Sequence, residues 1–346
     1  MRKWTFPTII FLVSAFISLA SCGRTKPTLN IYTWADYIKP DLVRRFEKEF
    51  DCRVVIDTFD SNESMYAKIK AGATGYDLLT PTSYMVSLMN SQNMLQPLDH
   101  RLLPNLAHID PEYLKTALDK TMDHSVPYMI VYTGIAYLKS RVTDFVPSWS
   151  MFDRQDLKGR ITMLNDMRET IGAALKFLGY SLNSTEENQL QEAKGVVLRW
   201  KKNIAKFENE QYKTGVASEE FLLVQAYSGD ILQVQKENLD VQFAIPEEGT
   251  TISVDDLVIP RTAKEVKLAH SFINFLHDPQ VAAENITFLY YLSPNKDSYP
   301  LLTPELRHNP ALFISPETRA KSEILANLGP ANALYVKIWD EIKAAK

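Results

Sequence analysis

The sequence lacks the short motifs that commonly mark an enzyme's active site. It has no G-x-S-x-G nucleophile elbow, no H-E-x-x-H zinc motif, no P-loop and no G-x-G-x-x-G. Its six histidines never recur at metal-ligand spacing, so we expect neither a metal nor a cofactor. A catalytic triad of Ser, Asp and His could still form from residues that are distant in the sequence, because such triads are defined by geometry and not by spacing. A secreted hydrolase therefore remains the alternative from the enzyme class.

Long runs of one charge and long apolar runs are also scarce. Lysine and arginine are scattered, and 42 acidic residues outnumber 38 basic ones, which gives a formal net charge of -4. This pattern does not favour a nucleic-acid partner. Beyond the first twenty or so residues, no apolar run is long enough to span a membrane. We therefore expect contact with a membrane only through the N-terminus.

The N-terminus predicts a lipoprotein signal peptide over residues 1–21. Arg2 and Lys3 supply a positive start, and an apolar core leads into Leu-Ala-Ser followed by Cys22. This pattern resembles the bacterial lipobox, whose cysteine is lipidated and becomes the mature N-terminus. The alternative is ordinary signal-peptide cleavage near the same place. A lipid on Cys22 would leave the one other cysteine, Cys52, without a disulfide partner, so the hydrophobic core would have to stabilise the exported chain.

The first part of the mature chain alternates between strand and helix patterns. Strands are predicted at 29–32, 54–58 and 76–80, with helices between them. The order β-α-β-α-β is typical of a parallel sheet with right-handed crossovers. The apolar run at 54–58 further suggests a strand buried on both faces. Either Ser61 or Asn62 is expected to cap the second helix.

An extended segment over 125–137 leads into a second α/β region, and another at 253–259 returns from it. Between them we predict strands at 159–164 and 241–245 and a helix at 171–178. A second helix is predicted at 185–202, with Ser184 as its cap, and a third helix is expected to end near Tyr227. Helices at 263–277 and 331–345 follow, and a third crossing is placed near 291–294. This pattern predicts two lobes joined by strand crossings, with these bounds: 22–27 tether, 28–135 with 255–300 for the first lobe, and 136–254 with 301–346 for the second.

Acidic and aromatic side chains coincide where the first strand ends. The strand at 29–32 gives way to Trp34, Asp36 and Tyr37, ahead of Pro40, where a helix can begin. Ligands of open α/β sheets bind at the carboxyl ends of strands. Because aromatic faces attract cations and a carboxylate pairs their charge, this loop predicts a site for an organic cation. The alternative is a loop whose rings cap a core.

Four further acids and one ring follow the same pattern. Asp166 and Glu169 follow a predicted strand and open a helix, and Asp230 follows a turn. Asp255 lies on the returning extended segment, and Tyr291 precedes a turn. Each acid has a structural alternative, because Asp166 and Glu169 suit a helix N-terminus, Asp230 suits a turn and Asp255 could pair with a lysine.

Several blocks of sequence resemble the periplasmic spermidine/putrescine-binding proteins of ABC transporters. The blocks read YTWADY from residue 32, DSNESMY from 60, YDLLTPT from 76, YSGD from 227 and DDLVIP from 255. The likeness runs in order from about residue 29 to the C-terminus, and the blocks together are specific at the level of the family. The resemblance implies an α/β fold of two lobes, each a mostly parallel sheet flanked by helices, that closes over a polyamine.

The resemblance also implies which residues form the pocket. Carried over position by position, they are Trp34, Asp36, Tyr37, Thr82, Tyr84, Asp166, Glu169, Tyr227, Asp230, Asp255 and Tyr291. Tyr227 stands where the family usually has tryptophan, and Ser253 stands where relatives have an aromatic ring. Leu325 stands near a polar side chain of the spermidine binders, and Asp230 matches the putrescine-type pattern.

The expected function is therefore that of a monomeric, lipid-anchored periplasmic receptor, not an enzyme, which delivers a polyamine to an ABC permease. Asp230 with Glu169 would pair the second ammonium of a short diamine, which favours putrescine, whereas space beside Ser253 favours spermidine. The rival is a receptor for another organic cation or for an amino acid. An amino acid would need an arginine clamp, for which Arg168 is the candidate.

Overall fold

The computed structural model describes Met1 and residues 26–114 and 117–345. Apart from Met1, the predicted signal peptide lies outside these residues, and so does Cys22 with most of the tether. The described residues form the following strands: β1 (Thr28–Trp34), β2 (Arg53–Phe59), β3 (Leu78–Leu79), β4 (Val126–Leu138), β5 (Ile161–Met163), β6 (Ile204–Phe207), β7 (Leu223–Tyr227), β8 (Val241–Ala244), β9 (Thr251–Leu257) and β10 (Glu323–Ile324).

Helices cover these strands and connect them. They are α1 (Pro40–Glu49), α2 (Asn62–Lys70), α3 (Ser83–Ser91), α4 (Pro111–Leu114), α5 (Met167–Phe177), α6 (Glu187–Lys201), α7 (Tyr212–Ala217), α8 (Ser228–Val234), α9 (Val266–Leu276), α10 (Pro279–Leu289), α11 (Pro304–Arg307), α12 (Pro316–Lys321) and α13 (Asn332–Ala344). Within the described ranges, no helix combines the length and the hydropathy needed to cross a membrane.

The first sheet has three parallel strands in the order β2-β1-β3, as the alternating pattern predicts. Pro40 occupies the first turn of α1, where its missing N–H costs nothing. The Ser61 side chain caps α2 by accepting a hydrogen bond from the Ser64 backbone N–H. The expectation that residues 54–58 are buried on both faces is wrong. β2 is an edge strand with one neighbour, and most of its residues are half-buried or exposed.

The second sheet is larger and mixed. Its strands run in the order β10-β9-β4-β7-β5-β6, with β8 also paired to β4. β5 is parallel to β6 and β7, and β9 is parallel to β10, but β4 is antiparallel to β7, β8 and β9. The α/β class is confirmed, whereas "mostly parallel" does not hold for this sheet. The reason is geometric: β4 takes the chain out of the first region and β9 brings it back, so the two run in opposite directions.

The crossing strands tie the two sheets together. The first half of β4, up to Tyr132, pairs with β9, and its second half, from Thr133, pairs with β7 and β8. Just beyond β9, Val258 pairs with Leu79 of β3, which joins the crossing to the first sheet. The predicted extended segments at 125–137 and 253–259 thus correspond to one antiparallel ribbon.

Two large hydrophobic cores lie on either side of this ribbon. One packs β1, α1 and α9 around side chains such as Phe46 and Phe272, and extends along β4 to Val131. The other begins at Ile135 and packs β5, β7, α5 and α6 around Trp149 and Trp200, with α13 against it. Residues from the 302–314 segment join a further cluster with residues of β4, β9 and α10. The lobe bounds stay a prediction.

Two local expectations in the second region are wrong. Tyr227 ends strand β7, not a helix, because residues 223–226 are fully buried between neighbouring strands of the sheet. Ser184 does not cap α6, which begins at Glu187 after Glu186. The Ser184 hydroxyl accepts from the Glu186 N–H and donates to the Gln189 side chain, so it orders the turn ahead of the helix.

Candidate functional site

A cavity of about 150 Å³ lies where the carboxyl ends of the strands meet the crossing ribbon. This volume is far above the roughly 10–15 Å³ that a cavity needs to hold one water, and it is large enough for a small organic molecule. Each of the eleven side chains expected at a site lines it: Trp34, Asp36, Tyr37, Thr82, Tyr84, Asp166, Glu169, Tyr227, Asp230, Asp255 and Tyr291. The structure thus brings them together, and their binding of a ligand stays a prediction.

Strand ends explain how residues so distant in sequence meet. Trp34 and Tyr227 are the last residues of β1 and β7, Thr82 stands at the start of α3 just after β3, and Asp166 follows β5. These strands run in parallel pairs, β1 with β3 and β5 with β7, so the carboxyl ends within each pair share one edge. Asp255 projects from the middle of β9, on the crossing ribbon.

Asp255 is held by neutral hydroxyls. The Tyr37 phenol donates to one carboxylate oxygen at 2.5 Å, and the Thr82 hydroxyl donates to the other at 2.6 Å. The Asn62 side chain fixes Thr82 in turn, because its amide nitrogen donates to Thr82 Oγ1 and its oxygen accepts from the Thr82 N–H, both at 3.0 Å. Burial raises the pKa of Asp255 to about 6, although the two hydroxyl bonds oppose the rise.

Asp166 and Glu169 form a second acidic group at the start of α5. Asp166 caps this helix by accepting from the backbone N–H groups of Arg168 at 2.8 Å and Glu169 at 3.0 Å. The Ser253 hydroxyl donates to Glu169 Oε1 at 3.3 Å, and Glu169 Oε2 is buried with no hydrogen-bond partner among the described residues. Burial raises the pKa of both acids, to about 7 for Glu169, where the negative charge of Asp166 adds to the rise.

Asp230, in the first turn of α8, differs from the other two acidic positions because a basic side chain lies beside it. The Tyr212 phenol donates a hydrogen bond to one of its carboxylate oxygens, and Lys213 Nζ lies 3.6 Å from the other. The Tyr291 ring connects Asp230 with Asp255: it packs against Gly229, next to Asp230, and lies 5.8 Å from the ring of Tyr37, whose phenol donates to Asp255. We call Asp230 with Asp255 one end of the cavity and Asp166 with Glu169 the other, since two tyrosines connect the first pair and the start of α5 holds the second.

Aromatic rings line the cavity together with the acidic groups. The Tyr37 ring lies 5.8 Å from the Tyr291 ring, and the Trp34 ring lies 4.4 Å from Phe59. Burial raises the pKa of Tyr37, Tyr227 and Tyr291 well above the usual value for a phenol, so these rings are neutral at physiological pH. Their faces offer apolar contact and cation–π attraction.

Two positions show how closely the backbone is fitted to this site. Asp36 lies in the turn after β1 with a left-handed φ of 51°, a conformation that aspartate tolerates better than most residues. A Cβ on Gly229 would lie 2.5 Å from the Tyr291 ring, so only glycine lets this ring pack against the start of α8.

Several residues of the site carried no recognised signal in the sequence. Lys213, Asn209, Glu210 and Gln233 line the cavity but fall outside every family-like block. Phe59 ends β2 and also lines the cavity. The block at residues 60–66 did contain Asp60 and Asn62, which line the cavity, and Glu63, which does not line it but accepts from the Tyr84 phenol at 3.1 Å.

Arg168 does not line the cavity. Its guanidinium donates to the Ala326 carbonyl at 3.0 Å and to Asn183 Oδ1 at 2.7 Å, and it stacks over the rings of Tyr84 and Tyr335. The side chain is therefore turned away from the place where it would clamp a ligand carboxylate. Its positive charge instead lies over the ring of Tyr84, which lines the cavity.

The charges that line the cavity suit a cationic ligand. Seven carboxylates face one basic side chain among the lining residues that the structure describes: Asp36, Asp60, Asp166, Glu169, Glu210, Asp230 and Asp255 against Lys213. Nowhere in residues 26–114 and 117–345 do three or more His, Cys, Asp or Glu side chains gather in a way that could hold a metal ion. Two acidic groups and several neutral rings thus line one cavity, which suits an organic molecule that carries more than one positive charge.

Comparisons with known proteins agree with this geometry. The family model described as bacterial extracellular solute-binding protein matches residues 41–314. The spermidine/putrescine-binding periplasmic protein of Salmonella typhimurium is 30% identical over 100% of both chains. The putrescine-binding periplasmic protein PotF of Escherichia coli is 31% identical over 100% of this chain and 99% of its own. The solved TpPotD lipoprotein of Treponema pallidum superimposes with a TM-score of 0.83 at 31% identity, covering 91% of this chain and 99% of its own.

Proposed function

The chain belongs to the bacterial extracellular solute-binding proteins and has their two-lobed fold, and from this premise we propose that it is the polyamine receptor of an ABC transporter. It binds putrescine or spermidine in the cavity between its lobes and passes the ligand to a membrane permease for uptake. The similarity to a spermidine/putrescine-binding and a putrescine-binding protein over their full lengths supports this ligand class.

One observation in the structure supports the proposal most strongly. Asp255 and Glu169 are buried carboxylates, 5% and 3% exposed, and neither forms an ion pair with a side chain among the described residues. Burying carboxylates without a cation is costly. Two ammonium groups on one ligand would supply the missing charges, and each charge-assisted hydrogen bond contributes about 1.5–3 kcal/mol.

The ribbon of β4 and β9 is the proposed hinge of this receptor. Binding proteins of two lobes close around a ligand through small changes in the segments that cross between the lobes. The crossing strand β9 carries both Asp255 and Ser253, and the Ser253 hydroxyl donates a hydrogen bond to Glu169 of α5. The proposed ligand contacts therefore lie on the crossing itself. A ligand that contacts both acidic groups would thereby favour the closed arrangement.

The location proposed for this receptor is the periplasm, with a lipid at Cys22 as its membrane anchor. The Leu-Ala-Ser-Cys pattern that ends at Cys22 supports the anchor, and so does the description of a similar solved structure as a lipoprotein. We further propose that the protein acts as a monomer and catalyses no reaction. A panel of chromogenic esters and glycosides would test the last point, because measurable turnover would contradict it.

A thermal-shift screen of the mature chain tests the proposed ligand class. Bound ligand is first removed by unfolding in urea and refolding, and the protein is then heated with putrescine, cadaverine, spermidine or spermine. At a ligand concentration of 100 Kd the expected stabilisation is about 2.7 kcal/mol, which gives a clear rise in Tm. Choline and 4-aminobutyrate serve as comparisons. A rise with either of these, and none with any polyamine, would contradict the proposal.

A further inference from the structure

One end of the cavity already contains an ammonium group. Lys213 lies on α7, and its Nζ is 3.6 Å from Asp230 Oδ1. The two side chains are 30% and 15% exposed, so the pair is shielded from bulk water but reachable from the cavity that both residues line. Lys213 is the one basic side chain among the described lining residues.

This pairing separates Asp230 from the other acids of the site. Asp255 accepts from two neutral hydroxyls, and Glu169 Oε2 has no hydrogen-bond partner in the described part of the chain. Asp230 accepts from the Tyr212 phenol and also faces the Lys213 cation. Its charge is therefore balanced from within the protein, whereas the charges of Asp255 and Glu169 await a ligand.

We propose that Lys213 determines specificity by occupying the Asp230 end of the cavity, so that the site takes a diamine in preference to a triamine. This inference rests on the proposed polyamine function. A diamine places its two ammonium groups at Asp255 and at the Asp166–Glu169 group. A triamine that extends past Asp255 would bring its third ammonium towards Lys213, where two positive charges repel each other in a partly dehydrated site.

An apolar side chain takes up part of the remaining cavity wall. Leu325 lines the cavity and packs in the same buried cluster as Tyr84. An ammonium that extended in this direction would meet an apolar side chain and lose its water without gaining a partner. The sequence pattern favoured Asp230 itself as the partner of a diamine. In the structure that carboxylate is already paired, so Lys213 takes over the role of limiting ligand length.

The test compares Lys213→Met with the wild type, because methionine keeps the length of the apolar stem and removes the charge. Calorimetric titration should show spermidine affinity rising at least tenfold, while putrescine affinity changes less than threefold. Lys194→Met is the matched control. Lys194 also forms a half-buried ion pair, with Glu341 at 2.8 Å, but lies outside the cavity. It should leave both affinities unchanged.

A second variant keeps the inference falsifiable. In Lys213→Met with Asp230→Asn, the carboxylate that would attract the third ammonium is removed, so the gain in spermidine affinity should disappear. An unchanged ratio of the two affinities in Lys213→Met would overturn the inference but leave the proposed function intact. Tight binding of 4-aminobutyrate by the wild type that is lost in Lys213→Met would also overturn it, because Lys213 would then pair a ligand carboxylate. Failure of the wild type to bind either polyamine would instead refute the proposed function.

Discussion

Asp255 and Asp256 are adjacent in sequence, yet β9 points them to opposite sides. Asp255 lines the cavity. Asp256 is not among the residues that line it, and its carboxylate accepts a hydrogen bond of 2.7 Å from the Ser83 hydroxyl. Burial raises the pKa of Asp256 to about 8, so it is mostly neutral at pH 7, while Asp255, at about 6, is mostly charged. The pair therefore offers two buried aspartates that should respond very differently to the same substitution.

We predict that Asp255→Asn weakens putrescine binding ten- to a hundredfold, because a charge-assisted contact worth on the order of 2 kcal/mol is lost. Asp256→Asn is the matched control and should leave the affinity unchanged, since it replaces a neutral acid by an amide of the same shape. Titration calorimetry on both variants measures the difference. Equal losses in the two variants would remove Asp255 from its role as an ammonium anchor.

The raised pKa values at Asp255 and Glu169 predict opposite effects of pH on binding and on stability. An amine with a pKa near that of lysine stays charged throughout this range. Between pH 8 and pH 5.5 both acids gain protons, so putrescine affinity should fall roughly ten- to a hundredfold.

The ligand-free protein should behave in the opposite way. The folded state holds protons on these acids more tightly than the unfolded chain, whose carboxyl pKa values are about 4. Their contribution to the free energy of unfolding is therefore greatest at low pH and is lost as pH rises through 6 to 7. Melting curves of wild type and of Glu169→Gln isolate this contribution, because the variant should show a weaker dependence. An affinity for putrescine that is constant from pH 8 to 5.5 would contradict the assignment of these acids.

Part of the cavity's composition could be predicted from residues at strand ends, whereas Thr82 and Tyr84 were indicated only by the resemblance to a known family. Trp34, Asp36 and Tyr37 follow a clear strand pattern, and the general rule for parallel sheets places them at a ligand edge. Lys213 could not be predicted in this way. It stands in a short helix with no distinctive sequence pattern, and only the folded chain brings it to Asp230, 17 positions further along.

At the scale of elements, the packing of β4 against β8 depends on a single glycine. A Cβ on Gly134 would lie 2.6 Å from the Ala244 carbonyl oxygen and 2.5 Å from the Phe243 ring. We predict that Gly134→Ala lowers the free energy of unfolding by about 1–3 kcal/mol, as overpacking of a core usually does. Urea titration of the ligand-free protein measures it.

Gly195 supplies the control for this substitution. It lies on the exposed side of α6 with no atom within 4 Å of an added Cβ. Gly195→Ala should therefore stabilise the protein by about 0.5–1 kcal/mol, through the helix propensity of alanine. Similar losses in both variants would show that the close contact at Gly134 is not the cause.

The strands and helices themselves were predictable where the hydrophobic pattern was long. The extended run at 125–137 became β4, and the amphipathic run at 263–277 contains α9. The predictions were wrong where tertiary packing determines whether a segment forms a strand or a helix, or how exposed it is. A short apolar run such as 223–227 suits a buried strand or a buried helix equally well, and only its neighbours β4 and β5 settle the choice. The exposure of β2 likewise depends on its place at the sheet edge.

At the scale of the whole molecule, we predict that Cys22→Ala releases the protein from membrane fractions, since the lipid would have no attachment point. Cys52→Ala is the control and should leave the membrane association unchanged, because Cys52 is a free, buried thiol. Fractionation with and without detergent measures both. A Cys22→Ala variant that still partitions like the parent would contradict the anchor.

The central claim is that the cavity binds a polyamine through buried carboxylates at its two ends. Calorimetric titration of the ligand-free, mature protein with putrescine at pH 8 tests it most directly. The expected result is saturable binding of one putrescine per chain, with an affinity that falls when Asp255→Asn or Glu169→Gln is introduced. A folded protein that releases or absorbs no binding heat with putrescine, cadaverine, spermidine or spermine, and gains no thermal stability from them, would contradict it.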